Sequence, residues 1–423
     1  PDDKVDNTAF YAPNVDKSKI DLSVRKGSES SYAANTVWNG FNKIGVSFFK
    51  DPNGYGNTEY FPLSKKAVMV VDVQSDVYTY VVPAKVTNTA DSMEYEVRLW
   101  GDYAMKNSST NIKEVVFRNT LDYVGIDAFK KADGSTTVES AFFTCATPAK
   151  DMSATKWELG SGYSEFATNL QHIFVKKSAV GAYKAAEGWT RYASNVDYKI
   201  PGVSIKHKYG TFAREFDANL GIYKEEKDSG DVAAFVAPIS GVTAGSGDYG
   251  SSAYNIRMTS IDENGGVTGD YSYVPAETGV LLKAMETEAL PVDFYYAIGE
   301  KDNVPYNISG NMMIGVTVKN KQITTGSDPL YVVSANEGIF KKASATLNMP
   351  VHKAYAKIAG VPAGAKVMFA FDDDNTEITG IENINSSDAT ADDNGAYYNL
   401  NGQRIGKPQH GVYIHNGKKI IIK

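Results

Sequence analysis

The sequence contains a single cysteine, Cys145, and only five histidines among 423 residues. One thiol cannot form an internal disulfide, so a small cross-linked secreted scaffold is excluded. No histidine stands near Cys145 in the sequence to suggest a nucleophile and its base, and a buried or inert thiol is therefore expected. Only His410 and His415 are close to each other, and a zinc site would require further Cys or Glu ligands at suitable spacing.

Long apolar runs and excess positive charge are also absent. No apolar stretch approaches the roughly 20 residues that a membrane-spanning helix needs. The formal net charge is -7 and the sequence pI is about 5.4, which argues against nucleic acid or an anionic membrane as a partner. The first residues are already polar, so we expect that a signal peptide has been removed before them.

The composition that is present favours β structure. Tyrosine occurs 27 times and glycine 37 times, with abundant Val, Thr and Ser, whereas long amphipathic helical patterns are scarce. The chain is too long for one hydrophobic core and should divide into about two to four units. We therefore predict a mainly β protein of several units.

The C-terminal residues 396–423 form the most distinctive segment. Short apolar runs alternate there with Asn401-Gly402 and Asn416-Gly417, dipeptides that are typical of tight β-hairpin turns. Residues 372–395 precede them and carry eight acidic and no basic side chains, which predicts a solvated linker.

This tail resembles the C-terminal module of many secreted and envelope proteins of Bacteroides-type bacteria (Bacteroidetes). The matching residues are Tyr398, Asn399, Leu400, Asn401, Gly402, Gln403, Arg404, Gly411, Tyr413, Asn416, Gly417 and Lys418. In relatives with a type nine secretion apparatus similar tails are sorting signals, so the resemblance implies export. The alternative is a small terminal β domain, and either interpretation places the protein outside the cytoplasm, at the cell surface or in the extracellular space.

A weak repeat lies between residues 77 and 200. A Gly-x-x-Ala-apolar phrase at Gly101 returns 24 residues later at Gly125, a period found in leucine-rich repeats. Residues 112–117 and 170–175 are predicted strands. Residues 177–189 then predict a short closing helix that ends in glycine and an aromatic plug, Trp189.

This region resembles the BspA-like leucine-rich repeat of bacterial surface antigens, including the closing phrase from Val175 to Trp189. It departs from that pattern at residues 141–145, which follow Ala128 by only 13 residues, and about 24 residues then intervene before the next clear strand. The resemblance implies a short solenoid at 77–200. Recurring strand and turn signals without helical periodicity predict a β-sandwich-like domain at 201–371, and this domain and a β-rich segment at 1–76 would cap the solenoid. The acidic linker at 372–395 and the hairpin module at 396–423 would complete the chain.

The search for chemical motifs identifies no catalytic, cofactor-binding or metal-ligating residue. The glycine-rich stretch 245–250 lacks the Lys-Ser/Thr of a phosphate-binding loop, and 372–377 lacks the spaced ligands of a calcium loop. Paired carboxylates of a hydrolase meet in space without fixed spacing, so that third hypothesis is left to the structure.

Binding is the favoured class of function. Trp157 and Tyr163 lie in or beside the apparent insertion after residue 150, and insertions in repeat proteins form loops on one face, often the face that binds. We predict a non-enzymatic, adhesin-like surface protein that recognises extracellular host or microbial proteins through its repeat region. A polysaccharide-binding accessory protein is the alternative. The ligand, the mode of anchoring and the oligomeric state are left open.

Overall fold

A computed structural model of the 423-residue chain forms two compact units, Pro1–Asp372 and Asp373–Lys423. It describes residues 16–24, 29–45, 48–50, 57–63, 66–89, 92–118, 121–125, 127–151, 170–205, 207–227, 232–244, 253–260, 273–284, 292–301, 309–317, 321–324, 329–343, 346–362, 365–371, 397–398, 404–405, 411–415 and 418–422. The described residues are mainly β, which confirms the prediction from composition.

The elements of the first half of the first unit are mostly short strands. They are β1 (Asp21–Ser23), α1 (Glu29–Ala34), β2 (Lys43–Gly45), β3 (Phe49–Lys50), β4 (Glu59–Pro62), β5 (Ala67–Asp72), β6 (Thr79–Val82), β7 (Lys85–Asn88), β8 (Met93–Trp100), β9 (Glu114–Phe117), β10 (Tyr123–Val124), β11 (Ser140–Phe143), β12 (Lys150–Asp151), β13 (His172–Val175), α2 (Val180–Ala185) and β14 (Val196–Asp197).

The described residues of the second half of this unit form one further α-helix and sixteen strands. They are β15 (Ile200–Ile205), β16 (Tyr209–Phe212), β17 (Ala218–Asn219), α3 (Ile222–Lys227), β18 (Val232–Val236), β19 (Val242–Ala244), β20 (Ala253–Ser260), β21 (Tyr273–Val274), β22 (Val280–Ala284), β23 (Val292–Ile298), β24 (Met313–Val316), β25 (Lys321–Thr324), β26 (Leu330–Ser334), β27 (Ile339–Lys342), β28 (Thr346–Met349), β29 (Lys353–Lys357) and β30 (Lys366–Phe371).

Two parallel ladders organise the first half. The first ladder is β5–β8–β10–β12, and the second ladder is β6–β9–β11–β13–β14. From β5 to β13, successive strands alternate between the two ladders, apart from β7, which pairs antiparallel with β8. β3 and β4 extend the first ladder in antiparallel fashion at β5.

The repeated sequence phrase stacks on itself in space. Trp100 pairs in register with Val124, and Gly125 donates its backbone N–H to the carbonyl of Trp100 over 2.7 Å. A Cβ on Gly101 would lie 2.6 Å from the carbonyl oxygen of Val70, and one on Gly125 would lie 2.4 Å from a backbone nitrogen. Only glycine permits this approach of consecutive turns, which explains its place in the phrase.

The second ladder is buried on both faces. One face carries alternate residues such as Phe117 and Phe143, whose rings stack 4.6 Å apart in the core shared with the first ladder. The opposite face carries the aligned row Val81, Val116, Phe142 and Phe174, which packs into the core of the second half. Strands that are covered on both faces have continuous apolar sequences, and the strands of the second ladder have such sequences.

The predicted aromatic plug is confirmed. Trp189 is fully buried after α2, and its indole N–H donates to the carbonyl of Ala149 over 2.5 Å. Its ring meets those of Phe143 and Tyr183 edge to face at 5.1 and 4.9 Å. The closing segment therefore covers the end of the ladder core.

Two large sheets build the second half. A ten-stranded sheet runs β16-β22-β18-β20-β30-β27-β26-β29-β24 with β19 beside β20, and a four-stranded sheet runs β15-β23-β17-β21. Most pairs are antiparallel, whereas β20 and β30 are parallel. The four-stranded sheet contributes Phe294 and Tyr296 to the core that receives the second ladder.

The C-terminal unit is a four-stranded antiparallel sheet. Its strands are β31 (Tyr397–Tyr398), β32 (Arg404–Ile405), β33 (Gly411–His415) and β34 (Lys418–Ile422), in the order β32-β31-β33-β34. The predicted hairpin pairing is present, because β31 pairs with β32 and β33 with β34. His415 and Lys418 are paired across a two-residue connection. The Asn-Gly turns themselves and the acidic linker lie outside the described residues.

Candidate functional site

A buried ionic cluster lies where the second ladder meets the second half of the unit. Thr79 and Glu114, the first residues of β6 and β9, are register partners and supply one side. Arg214 and Glu215 follow β16, and His352 immediately precedes β29. Segments far apart in the sequence therefore converge on one point.

Arg214 is the centre of this cluster. Its side chain is only 3 % exposed, and its guanidinium lies 4.7 and 4.8 Å from the ring centroids of Phe142 and Phe216. Nη2 donates to Glu114 Oε2 over 2.9 Å, and Nε lies 3.3 Å from Glu215 Oε2. The cation is thus held between aromatic faces and two carboxylates, which offset its loss of hydration.

His352 completes the cluster in a defined tautomer. Arg214 Nη1 lies 3.0 Å from His352 Nδ1, and because arginine can only donate, Nδ1 must accept. The ring proton is therefore on Nε2, which lies 3.1 Å from Glu215 Oε1 and 3.2 Å from Thr79 Oγ1. His352 also has a positive φ of 63°, a backbone conformation that non-glycine residues seldom adopt.

Electrostatics keep the two buried ions charged. Burial would raise the pKa of Glu215, but Arg214 and the hydrogen bond from His352 more than reverse this effect, and the pKa is lowered. Burial opposes the charge of Arg214 in the same way, yet the neighbouring Tyr296, Glu114 and Glu215 raise its pKa. Arg214 and Glu215 consequently form a buried ion pair.

A second ion pair reinforces the same junction. Arg118, which follows β9, donates over 2.7 Å to Glu277 Oε1 and over 2.5 Å to the backbone carbonyl of Glu215. Glu277 has a positive φ of 60° and donates its own N–H to the carbonyl of Arg214 over 2.6 Å. Two non-glycine residues with positive φ thus flank the cluster, a feature that concentrates at functional sites and at constrained junctions.

The cluster has the ligand types of a metal site, but its hydrogen bonds oppose that use. One donor atom each of Glu114, Glu215 and His352 lies within 4.8 Å of the others. Binding through Nε2 would require the loss of the proton that the bond from Arg214 places there. The guanidinium already supplies the positive charge that the carboxylates neutralise.

The hydrolase hypothesis needs one carboxyl group that acts as an acid, and Glu215 does not fit that role. A glycosidase acid needs a raised pKa in order to hold a proton near neutral pH. The pKa of Glu215 is lowered, so its carboxylate remains ionised and paired with Arg214.

A cavity of about 260 Å³ adjoins the cluster. Polar, charged and apolar side chains together line it. The lining residues that the argument uses are Tyr78, Glu114, Thr211, Tyr296, His352 and Lys353. Tyr78 lies edge-on to the imidazole of His352 at 5.9 Å, and burial, with a contribution from Glu114, raises its pKa.

None of the residues predicted from the sequence belongs to the ionic cluster. Trp157 and Tyr163 fall outside the described residues. Within the sorting-like motif, Tyr398, Arg404, Gly411, Tyr413 and Lys418 belong to strands β31 to β34. The remaining motif residues, Asn399, Leu400, Asn401, Gly402, Gln403, Asn416 and Gly417, also lie outside the described part.

The sequence analysis missed the ionic cluster. Thr79 and His352 are 273 positions apart, and no spacing rule connects them. One local signal existed: Arg214-Glu215 interrupts an apolar segment between Phe212 and Phe216. Charged residues within an otherwise buried segment are rarely buried unless they are paired.

Comparison with known proteins adds little. No family model and no curated protein matches the chain. A solved structure of a leucine-rich cell surface protein from Faecalibacterium prausnitzii A2-165 is similar over 31% of this chain and 44% of its own length, with 13% sequence identity and a TM-score of 0.19. The chain therefore spans less than half of that protein, and a likeness at this TM-score carries no argument. Among the described residues, no helix combines the length and apolar character needed to cross a membrane.

Proposed function

We propose that the protein is an exported, adhesin-like recognition protein that binds extracellular protein ligands. Its first half would be a short BspA-like leucine-rich-repeat solenoid. One observation carries this proposal: four successive strand pairs, from β5/β6 to β12/β13, alternate between two parallel ladders in register. A strand that buries its apolar face only by stacking on the next repeat is the defining property of a solenoid.

The outward face of the second ladder is not available to bind a ligand. The outward row that contains Phe142 and Phe174 is buried against the second half of the unit. We therefore assign ligand recognition to residues 152–169, which connect β12 to β13 and contain Trp157 and Tyr163. Aromatic side chains give a contact surface rigid apolar area together with a polar group.

The C-terminal unit would serve as the sorting-like module. Its separate compactness and its paired hairpins support a role that is independent of ligand recognition. In this proposal the protein acts at the surface of a Bacteroidetes-type bacterium and carries out no catalysis.

The test is a binding screen of the whole chain against arrays of extracellular-matrix proteins and polysaccharides. We expect saturable binding to a protein, reduced at least tenfold in a Trp157→Ala, Tyr163→Ala double variant. Tyr103→Ala is the matched control, since this aromatic residue is 39% exposed and lies on another turn. Thermal melting of each variant checks that the fold is retained.

The alternatives predict different results. Binding to polysaccharides alone would favour an accessory protein for glycan capture. Protein binding that is equal in the double variant and the wild type would move recognition away from residues 152–169. No saturable binding on either array would contradict the recognition function.

A further inference from the structure

Tyr296 presents an unused polar group at the cavity. The residue is 2% exposed and lines the cavity wall, and its hydroxyl forms no hydrogen bond with any described residue. Burial raises its pKa, and Tyr296 lines the cavity together with Arg214 and Glu114 of the ionic cluster. A buried hydroxyl is normally hydrogen-bonded, so this group is available to a bound molecule.

Lys353 lines the same cavity and has no carboxylate partner among the described residues within ion-pair distance. Burial lowers the pKa of its ammonium group. An unpaired and partly buried cation is stabilised by a ligand anion.

The lining offers two kinds of polar group to a bound molecule. Glu114 repels an anion but accepts hydrogen bonds from hydroxyl groups, and the hydroxyls of Tyr296 and Thr211 can form further hydrogen bonds. Among the described lining residues, Lys353 is a cation outside the ion pairs of the cluster. A matching ligand carries both a carboxylate and hydroxyl groups.

The size and walls of the cavity limit the ligand to one small molecule. Its volume of about 260 Å³ falls below the roughly 300–1,000 Å³ of pockets for drug-sized ligands. Phe212 and Leu282 supply apolar wall. The pairing of β15 with β23 shifts register between Ile200 and Val203, and Gly202 within this bulge has a φ of 110° and open space at its Cβ position. Bulges that reshape a strand in this way are frequent beside binding sites.

We propose that this cavity binds a small hydroxylated carboxylate, the chemistry of a single sugar acid, with Lys353 facing the carboxylate and Tyr296 and Glu114 facing the hydroxyl groups. This proposal does not depend on the recognition function assigned to residues 152–169.

The experiment is isothermal titration calorimetry of the whole chain with glucuronate and galacturonate. Glucose and acetate are the two comparison compounds, because each contains only one of the two required chemistries. We expect saturable binding of at least one uronate, and binding at least tenfold weaker for both comparison compounds.

Three variants locate the binding. Lys353→Gln should weaken uronate binding at least tenfold, and the nearly isosteric Tyr296→Phe should weaken it about three- to tenfold. Lys342→Gln, which changes an exposed lysine on β27, is the control and should bind as the wild type does. Thermal melting of all variants separates loss of binding from loss of folding.

The proposal is overturned by any of three results: neither uronate binds, glucose or acetate binds as tightly as the uronates, or both folded variants bind like the wild type. Because the array screen uses substitutions at Trp157 and Tyr163, its failure would be distinguishable from failure here.

Discussion

At the scale of single residues, Arg214 shows what is required to keep a charge inside an apolar core. Transfer of a guanidinium from water to the interior is unfavourable by several kcal/mol, and only close and well-oriented partners offset that loss. Here Glu114, Glu215 and His352 supply the polar partners, and two phenylalanine rings cover the faces of the cation. Removal of the cation would leave the carboxylates unpaired.

We expect Arg214→Met to lower the free energy of unfolding by about 3–5 kcal/mol, because it leaves buried carboxylates without a counter-charge. Arg98→Met is the matched control: Arg98 forms an ion pair with Asp122, but its side chain is 35% exposed, and exposed pairs contribute at most about 1 kcal/mol. Urea denaturation of both variants measures the difference. Equal losses would show that the buried cluster contributes no more than a surface pair.

A second charged group predicts how stability depends on pH. Glu226 on α3 is partly buried, which alone would raise its pKa, but hydrogen bonds from Lys199, Tyr198 and Tyr295 lower the pKa to about 2. A carboxyl group whose pKa is lower in the folded state stabilises the fold above its unfolded pKa of about 4.3. That contribution is lost as the pH falls from about 4.3 towards 2.

We therefore expect the wild type to lose more thermal stability than Glu226→Gln between pH 7 and pH 3. Glu225→Gln is the control, since this neighbour on α3 is exposed and should follow the wild type. Melting temperatures at the two pH values provide the measurement. Parallel pH profiles for the wild type and Glu226→Gln would refute the assignment.

At the scale of elements, local sequence patterns located the strands more accurately than they located tertiary contacts. The apolar alternation at 112–117 predicts β9 (Glu114–Phe117), and the run at 170–175 predicts β13 (His172–Val175). Residues 273–284 contain two strands, β21 and β22, because Pro275 to Gly279 form a turn stabilised by a hydrogen bond from the Thr278 N–H to the Pro275 carbonyl. Hydrophobic periodicity alone does not reveal such a turn, whereas its proline and glycine are typical turn residues.

The closing segment gives a prediction at this scale. Trp189→Phe removes the hydrogen bond to Ala149 and leaves space beside Phe143, so we expect the free energy of unfolding to fall by about 2–3 kcal/mol. Trp38→Phe, at a partly exposed position beside α1, should change it by less than about 1 kcal/mol. Chemical denaturation compares the two. A smaller effect at Trp189 than at Trp38 would contradict its role as a core plug.

At the scale of the first unit, the predicted domain boundaries do not coincide with the limits of the hydrophobic cores and sheets. The sequence predicts a repeat domain at 77–200, yet β5 on one side of residue 76 and β6 on the other both join the parallel ladders. The outward row of the second ladder shares a core with β15 to β23. Such contacts connect residues far apart in the chain and leave no local pattern, which is why the sequence could not reveal them.

We expect a fragment of residues 77–200 to lack a cooperative thermal transition and to bind a hydrophobic dye, because its row from Val81 to Phe174 would be exposed. A fragment of residues 1–372, which contains the whole first compact unit, should melt cooperatively. Circular dichroism and dye fluorescence of both fragments make the comparison. A sharp transition of 77–200 alone would show that the repeats fold without the second half.

The hydrogen bond between Thr79 and His352 also bears on the time course of folding. It spans 273 positions, and closing so long a loop is unfavourable until other contacts have formed. Arg214 therefore cannot contact His352 until the ribosome has synthesised well over a hundred further residues. A nascent chain therefore cannot complete its ionic cluster until almost the whole first unit has emerged from the ribosome.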